Sequence, residues 1–180
     1  MPELLVMRHG KSDWGTGLPD FERPLSKRGH KNAMAMAEWL DDTDREPDEI
    51  ITSAANRTFT TAAHVAAHFE LDEQILDARP DLYLAGAHEW IEAVAACSAE
   101  RVLICGHNPG LDDLVGFLSN EAAELTADGK LMTTAAIAVF SIDQSNSINT
   151  WSSISPDNCT LIELMRPATS SNNTQDLSRF

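Results

Sequence analysis

Two short apolar runs each end abruptly in a histidine beside a glycine, and this repeated pattern restricts the fold more than any other feature. The first is Leu4-Leu5-Val6-Met7, followed by Arg8-His9-Gly10. The second is Val102-Leu103-Ile104-Cys105, followed by Gly106-His107-Asn108-Pro109-Gly110. Runs of four to six apolar residues without alternation read as strands buried on both faces, as in a parallel sheet. Reactive side chains directly after such strands lie at the sheet's carboxyl edge, where open α/β folds bind ligands. The pattern therefore predicts one site with two facing imidazoles.

The segments between these runs alternate strand and helix. Residues 3–7 read as β-strand, and 11–25 as a loop rich in Gly, Pro and Asp. Ser26 is an expected N-cap for a helix over about 27–40, with Ala33, Met34, Ala37 and Leu40 on one face. A strand is expected at 49–52, a helix opening at Ser53 or Ala54 and running to Phe69, a third strand at 74–77, and a helix over 88–97. The fourth strand spans 101–105, and Pro109 marks the first turn of a helix reaching about Ser119. Two final strands at 135–142 and 159–165 form an expected hairpin around 143–158. The alternation argues for a three-layer α/β/α sandwich with a mainly parallel sheet. The domain is expected over 1–166, with 167–180 a polar tail outside the core.

The 180 residues suffice for one domain with a full core. No apolar run nears the roughly 20 residues of a membrane span, and the N-terminus lacks the basic and long apolar regions of a secretory signal. Cys97, Cys105 and Cys159 are odd in number and widely spaced, which fits free thiols rather than disulfides or zinc. The expected location is the cytoplasm, with no membrane partner. The net charge of −15 argues against nucleic-acid binding. Yet residues 1–31 carry six basic side chains against four acidic ones. A basic patch on an acidic body points to a small anionic target group.

Two further residues, Arg57 and Arg23, fit an anion site. Arg57 stands one turn into the helix after the second strand, where the helix dipole disfavours a cation. A guanidinium at that strand end matches phosphate oxygens with a planar fork. Arg23, in Phe21-Glu22-Arg23-Pro24-Leu25, is a candidate third guanidinium, with a plain surface charge the equal alternative. His9 beside Arg8 is biased toward neutral imidazole, a competent nucleophile. His64 and His68 have metal-ligand spacing, but His64-Val65-Ala66-Ala67-His68 offers no third ligand, so they are read as ordinary helix-surface residues.

Arg8-His9-Gly10 after strand one, Ser53…Arg57 after strand two and Gly106-His107-Asn108 after strand four resemble the histidine phosphatase superfamily, also called phosphoglycerate mutase-like. Arg23-Pro24-Leu25-Ser26-x-x-Gly29 and Gly106-His107-Asn108-Pro109 are most similar to its SixA-type phosphohistidine phosphatase branch. The resemblance covers about residues 3–165. It implies His9 as the nucleophile of a covalent phosphohistidine intermediate, with Arg8, Arg57, His107 and Arg23 around the phosphate. Many relatives carry Asn where Gly15 stands; Ser12 is the expected substitute. Many also carry a Glu in the loop after strand three. Here that loop reads Arg79-Pro80-Asp81-Leu82-Tyr83, so Asp81 is the nearest candidate general acid and Glu89 the next.

The expected activity is a hydrolase working without metal or cofactor, since the set holds arginine and histidine and no ligand cluster. No long insertion is available to form a lid, and an open pocket suits phosphohistidine on a protein. The alternatives are a phosphomonoesterase acting on a small phosphorylated metabolite and a noncatalytic phosphoprotein-binding module.

Overall fold

A computed structural model of the chain describes residues 1–120, 123–143 and 151–168. Six strands form one sheet: β1 (Glu3–Arg8), β2 (Glu49–Ser53), β3 (Leu76–Arg79), β4 (Arg101–Gly106), β5 (Ile137–Ile142) and β6 (Cys159–Met165), in the order β3-β2-β4-β1-β5-β6. Strands β3, β2, β4 and β1 run parallel; β5 pairs antiparallel to both β1 and β6. The helices among the described residues are α1 (Lys27–Asp42), α2 (Asn56–His68), α3 (Ala87–Ala95) and α4 (Gly110–Leu118).

Strand pleating sorts the core into two clusters, because successive side chains point to opposite faces. Leu5, Met7, Leu103 and Cys105 face Met36, Ala37 and Leu40 of α1 and Ala62 and Val65 of α2. Leu4, Val6, Val102 and Ile104 face Trp90 and Val94 of α3 and Leu111 and Leu114 of α4. Each fully buried Leu, Ile or Met contributes ~1.5–3 kcal/mol. These two clusters make the three-layer α/β/α sandwich that the sequence predicts.

Several boundaries differ from expectation. The third strand begins at Leu76, not Gln74, because a 3₁₀ turn over Glu73–Ile75 precedes it and Leu76 pairs with Ile50. Helix α2 opens at Asn56 rather than Ser53, since Ser53 still pairs with Arg79 in the sheet. Met34 is exposed on α1 and Met36 takes the core position, shifting the buried stripe by part of a turn. Ser26 does cap α1: its Oγ accepts from the Gly29 amide at 3.2 Å. Strands β5 and β6 pair as a hairpin; part of its connection, 144–150, and the tail residues 169–180 lie outside the described residues.

Candidate active site

Three neighbouring strands, β2, β4 and β1, deliver the site from their carboxyl ends. In the parallel β1–β4 register Arg8 stands beside Gly106, so His9 and His107 leave the sheet at the same height. The His9 amide donates to the Gly106 carbonyl at 3.1 Å, and the Ala135 amide donates to the His9 carbonyl at 3.1 Å. Gly106 must lack a side chain, since a Cβ there would come within 2.4 Å of the Trp90 ring. The loop after β1 lies against α1 by glycine contact. A Cβ on Gly10 would meet the Gly29 carbonyl oxygen at 2.7 Å, and one on Gly29 would meet the Lys11 carbonyl oxygen at 2.2 Å.

The two imidazoles stand with ring centroids 5.2 Å apart. Nδ1 of His9 lies 2.7 Å from the Gly10 carbonyl oxygen. A carbonyl only accepts, so Nδ1 carries the proton and Nε2 presents its lone pair. Burial, followed by the charges of Arg57, Arg8 and Arg23, pushes the His9 pKa down to about 4, against the upward pull of the Gly10 bond. Burial, then His9 and Arg57, pushes His107 down to about 3. Nε2 of His107 is 3.0 Å from Ser53 Oγ, the last residue of β2. Both rings are therefore neutral at pH 7.

A pocket of about 210 Å³ opens on these rings. Arg8, Arg23, Arg57 and Ser12 line it together with His9 and His107, so six of the residues predicted from sequence share one cavity. Lys11, Trp14, Asn108 and Thr134 complete its wall. Arg8, Arg23 and Arg57 are buried or nearly so, and each keeps at least one buried guanidinium nitrogen without a partner inside the protein; Nδ1 of His107 is likewise unpartnered. Unpaired buried donors are costly. Three such guanidinium groups around one cavity fit an oxyanion that accepts from all of them, and phosphate is such an anion.

Asp81 and Glu89 do not join the pocket. Asp81 is exposed and ion-paired to Arg79 at 2.7 Å, which holds its carboxyl below the ordinary value. That is the wrong direction for a proton donor. Glu89 folds back to accept from the Gly86 amide at 3.0 Å, capping α3. Gly15 is exposed, its amide donating to Asp13 Oδ1, and does not line the cavity. His64 pairs with His30 at 2.8 Å and His68 with Asp41 at 3.1 Å, so the two histidines four apart face different partners. No group of three or more His, Cys, Asp or Glu side chains suited to a metal ion occurs among the described residues.

Asp20 is the residue that sequence reasoning missed. It accepts from Arg23 at 2.5 Å, from Arg57 at 2.9 Å and from the Tyr83 hydroxyl at 2.5 Å. The Tyr83 bond first, and Arg57 next, hold its pKa down to about 2. One half of this was legible: Asp20 and Arg23 are three apart in a single 3₁₀ turn, a spacing that brings side chains together. The contacts to Arg57 and Tyr83 join segments remote in sequence and left no local signal.

Residues 4–82 match the family model of the histidine phosphatase superfamily, branch 1. The phosphohistidine phosphatase SixA of Escherichia coli is 28% identical over 151 residues, covering 81% of this chain and 88% of that protein. Over residues 4–82 the chain is thus similar to the histidine phosphatase superfamily. Among solved structures, a proposed phosphohistidine phosphatase SixA from Nakamurella multipartitia superposes with a TM-score of 0.77 at 24% identity, covering 93% of this chain and 97% of that one. The protein histidine phosphatase SixA complexed with tungstate superposes with a TM-score of 0.71 at 24% identity, over 92% and 97% of the two chains. The superfamily match covers β1 through the turn after β3, which includes His9, Arg23 and Arg57. No helix among the described residues is long and apolar enough to cross a membrane.

Proposed function

We propose that this chain is a phosphatase of the histidine phosphatase superfamily with His9 as nucleophile, removing phosphate from phosphohistidine on a protein. The observation that carries the reading is the tautomer of His9. Its Nδ1–H is spent on the Gly10 carbonyl, leaving a neutral Nε2 lone pair in a cavity lined by three guanidinium groups. Nε2 attacks phosphorus and forms a P–N bond. The bond to the leaving imidazole breaks, and its electron pair returns to the leaving nitrogen. Water then attacks the phosphoryl group, the P–Nε2 bond breaks, and phosphate leaves with the water's proton passing to phosphate or solvent. Arg8, Arg23, Arg57 and His107 stabilise the charge on the equatorial oxygens, the main work of phosphoryl transfer. Ser12 adds a hydroxyl at the pocket wall. Asp20 acts as a positioning residue that holds Arg23 and Arg57 in one orientation.

The substrate class is supported by the pocket lining, which is cationic and neutral, while the adjacent Asp20 carboxylate is held ionised by Tyr83, Arg57 and Arg23 and is no proton donor. An alkyl phosphate expels a strongly basic alkoxide and needs a proton in the transition state. A phosphohistidine ring protonated on its far nitrogen leaves as neutral imidazole and needs no proton from the enzyme, so a pocket lined by cations and neutral groups suits a P–N bond better than an alkyl P–O bond. The similarity to SixA of E. coli supports the same choice. The test is a turnover panel with EDTA present, comparing a phosphohistidine protein, an aryl phosphate and sugar phosphates. Phosphohistidine is expected to react fastest, and labelled phosphate is expected to be trapped on His9 in wild type and not in His9→Ala. Sugar phosphate turnover that exceeds phosphohistidine turnover would overturn the substrate assignment. An active His9→Ala protein would overturn the covalent mechanism.

A further inference from the structure

Beside the catalytic pocket runs a second, larger cavity of about 520 Å³. The two share Arg8, Lys11 and Thr134 as common wall, so they lie side by side. The larger one is lined by five basic side chains, Arg8, Lys11, Arg28, Lys130 and Arg166, and by one carboxylate, Asp128. The whole chain has only 13 Lys and Arg and a net charge of −15. More than a third of its cations therefore meet in one groove, against the sign of the rest of the molecule.

Little of that charge is neutralised. Lys130 pairs with Asp128. Arg166 is fixed by backbone carbonyls alone, those of Leu131 at 2.9 and 3.1 Å and of Glu124 at 2.5 Å, so its guanidinium is placed but not neutralised. Lys11 and Arg28 make no ion pair among the described residues. A groove of this sign beside the phosphate pocket raises the local concentration of anions.

We infer that this groove docks an acidic segment of the phosphorylated protein, with Asp and Glu side chains flanking the phosphoryl-bearing residue. The inference rests on the phosphatase reading of the neighbouring pocket. The layout decides between an acidic segment and a second compact phosphate. Lys11, Arg28 and Lys130 are exposed on long stems from three different segments, the loop after β1, helix α1 and the loop before β5. The buried unpartnered nitrogen in the groove is Nε of Arg8, which already belongs to the catalytic pocket. A compact phosphate finds no converging buried donors there. An extended chain with several carboxylates meets each cation in turn, and the groove is more than twice the volume of the catalytic pocket.

Two measurements test this. The first is fluorescence anisotropy of a labelled hexaglutamate peptide at 0.15 M salt, with wild type and with the double variant Arg28→Glu/Lys130→Glu. Both sites are exposed, and thermal melting confirms that the variant folds. The double variant is expected to bind at least tenfold more weakly, and binding to wild type is expected to fall between 0.15 and 1 M salt. Equal binding by the two proteins, or pyrophosphate bound at the groove in place of the peptide, overturns the inference. The second compares kcat/KM for two phosphohistidine peptides, one with Glu and one with Lys flanks. Wild type is expected to prefer the Glu peptide, and the double variant to lose or reverse that preference; an unchanged ratio overturns it. Aryl phosphate hydrolysis separates the two readings. Peptide binding without turnover of phosphohistidine or aryl phosphate sinks the phosphatase reading alone, and turnover without charge-dependent binding sinks the docking groove alone.

Discussion

His9 shows how one residue acquires a chemistry its type does not guarantee. A free imidazole is half protonated near pH 6.5. Here burial and three neighbouring guanidiniums lower that point to about 4, and the Gly10 carbonyl selects the tautomer. The rate of carbethoxylation of His9 by diethyl pyrocarbonate, read by peptide mass spectrometry, should stay flat from pH 7.5 to about 5.5, after correction for the reagent. A midpoint near 6.5 would show that neither burial nor the arginines shift the ring. The same shift has a cost in acid. The folded pKa lies below the unfolded one, so the unfolded chain binds more protons between them. Stability contributed by neutral His9 and His107 is complete above about pH 6.5 and is lost as pH falls toward 4 and 3. Asp81 makes the opposite case, a residue with a suitable type and an unsuitable place. Its exposed carboxylate is held ionised by Arg79. A general acid contributes ~10²–10⁴-fold, whereas Asp81→Asn should change turnover of aryl phosphate and phosphohistidine by less than about twofold. A hundredfold loss on either substrate would return Asp81 to the active site.

Elements position these residues through close backbone contacts, and Gly29 is the sharpest instance. Replacing Gly by Ala inside a helix ordinarily stabilises by ~0.5–1 kcal/mol. At Gly29 the added Cβ would sit 2.2 Å from the Lys11 carbonyl oxygen, a backbone atom with no rotamer to change. Overpacking of this kind costs ~1–3 kcal/mol, so the clash wins. Gly29→Ala should lower Tm and, by displacing the loop that carries His9 and Ser12, reduce kcat more than a surface Ala substitution on the same helix. A variant as stable and as active as wild type would mean that the loop is not seated on α1. How far the elements were legible tracks the same physics. Strands β1 and β4 are buried on both faces, so their unbroken apolar runs marked them and their ends. Strand β3 is half exposed at the sheet edge, and Leu76-Asp77-Ala78-Arg79 carries no such run. For that reason the expected start, Gln74, lies two residues before the observed one, Leu76. Met34 and Met36 are chemically identical, and only the seating of α1 on the sheet selects Met36 for the core. Of the site, the residues that follow buried strands were legible. Asp20, Tyr83 and the groove formed with Arg166 depend on contacts between distant segments and left no periodic trace.

At the scale of the whole molecule, charge is arranged in opposition: an acidic body carries seven of its 13 Lys and Arg in and beside one site. The two fields reach an approaching phosphate over different distances. The Debye length is ~30 Å at 0.01 M salt and ~8 Å at 0.15 M. At the lower concentration the net charge of −15 is felt by a dianion well before it meets the pocket. At the higher one the distant acidic surface is screened, while Arg8, Lys11, Arg23 and Arg57 at the pocket wall still act at contact range. Added salt should therefore first help and then hinder. For a small aryl phosphate, kcat/KM should rise between 0.01 and 0.15 M and fall again toward 1 M, where the Debye length of ~3 Å screens the pocket cations as well. The measurement is a salt series with chloride as the only added anion and ionic strength varied at fixed pH. A plain monotonic fall from 0.01 M upward would mean that the local cations dominate the field at every distance, and that the acidic body plays no part in substrate approach. A rise that continues to 1 M would mean the opposite, that the pocket's guanidinium groups are too well screened or too well paired with Asp20 to attract the substrate.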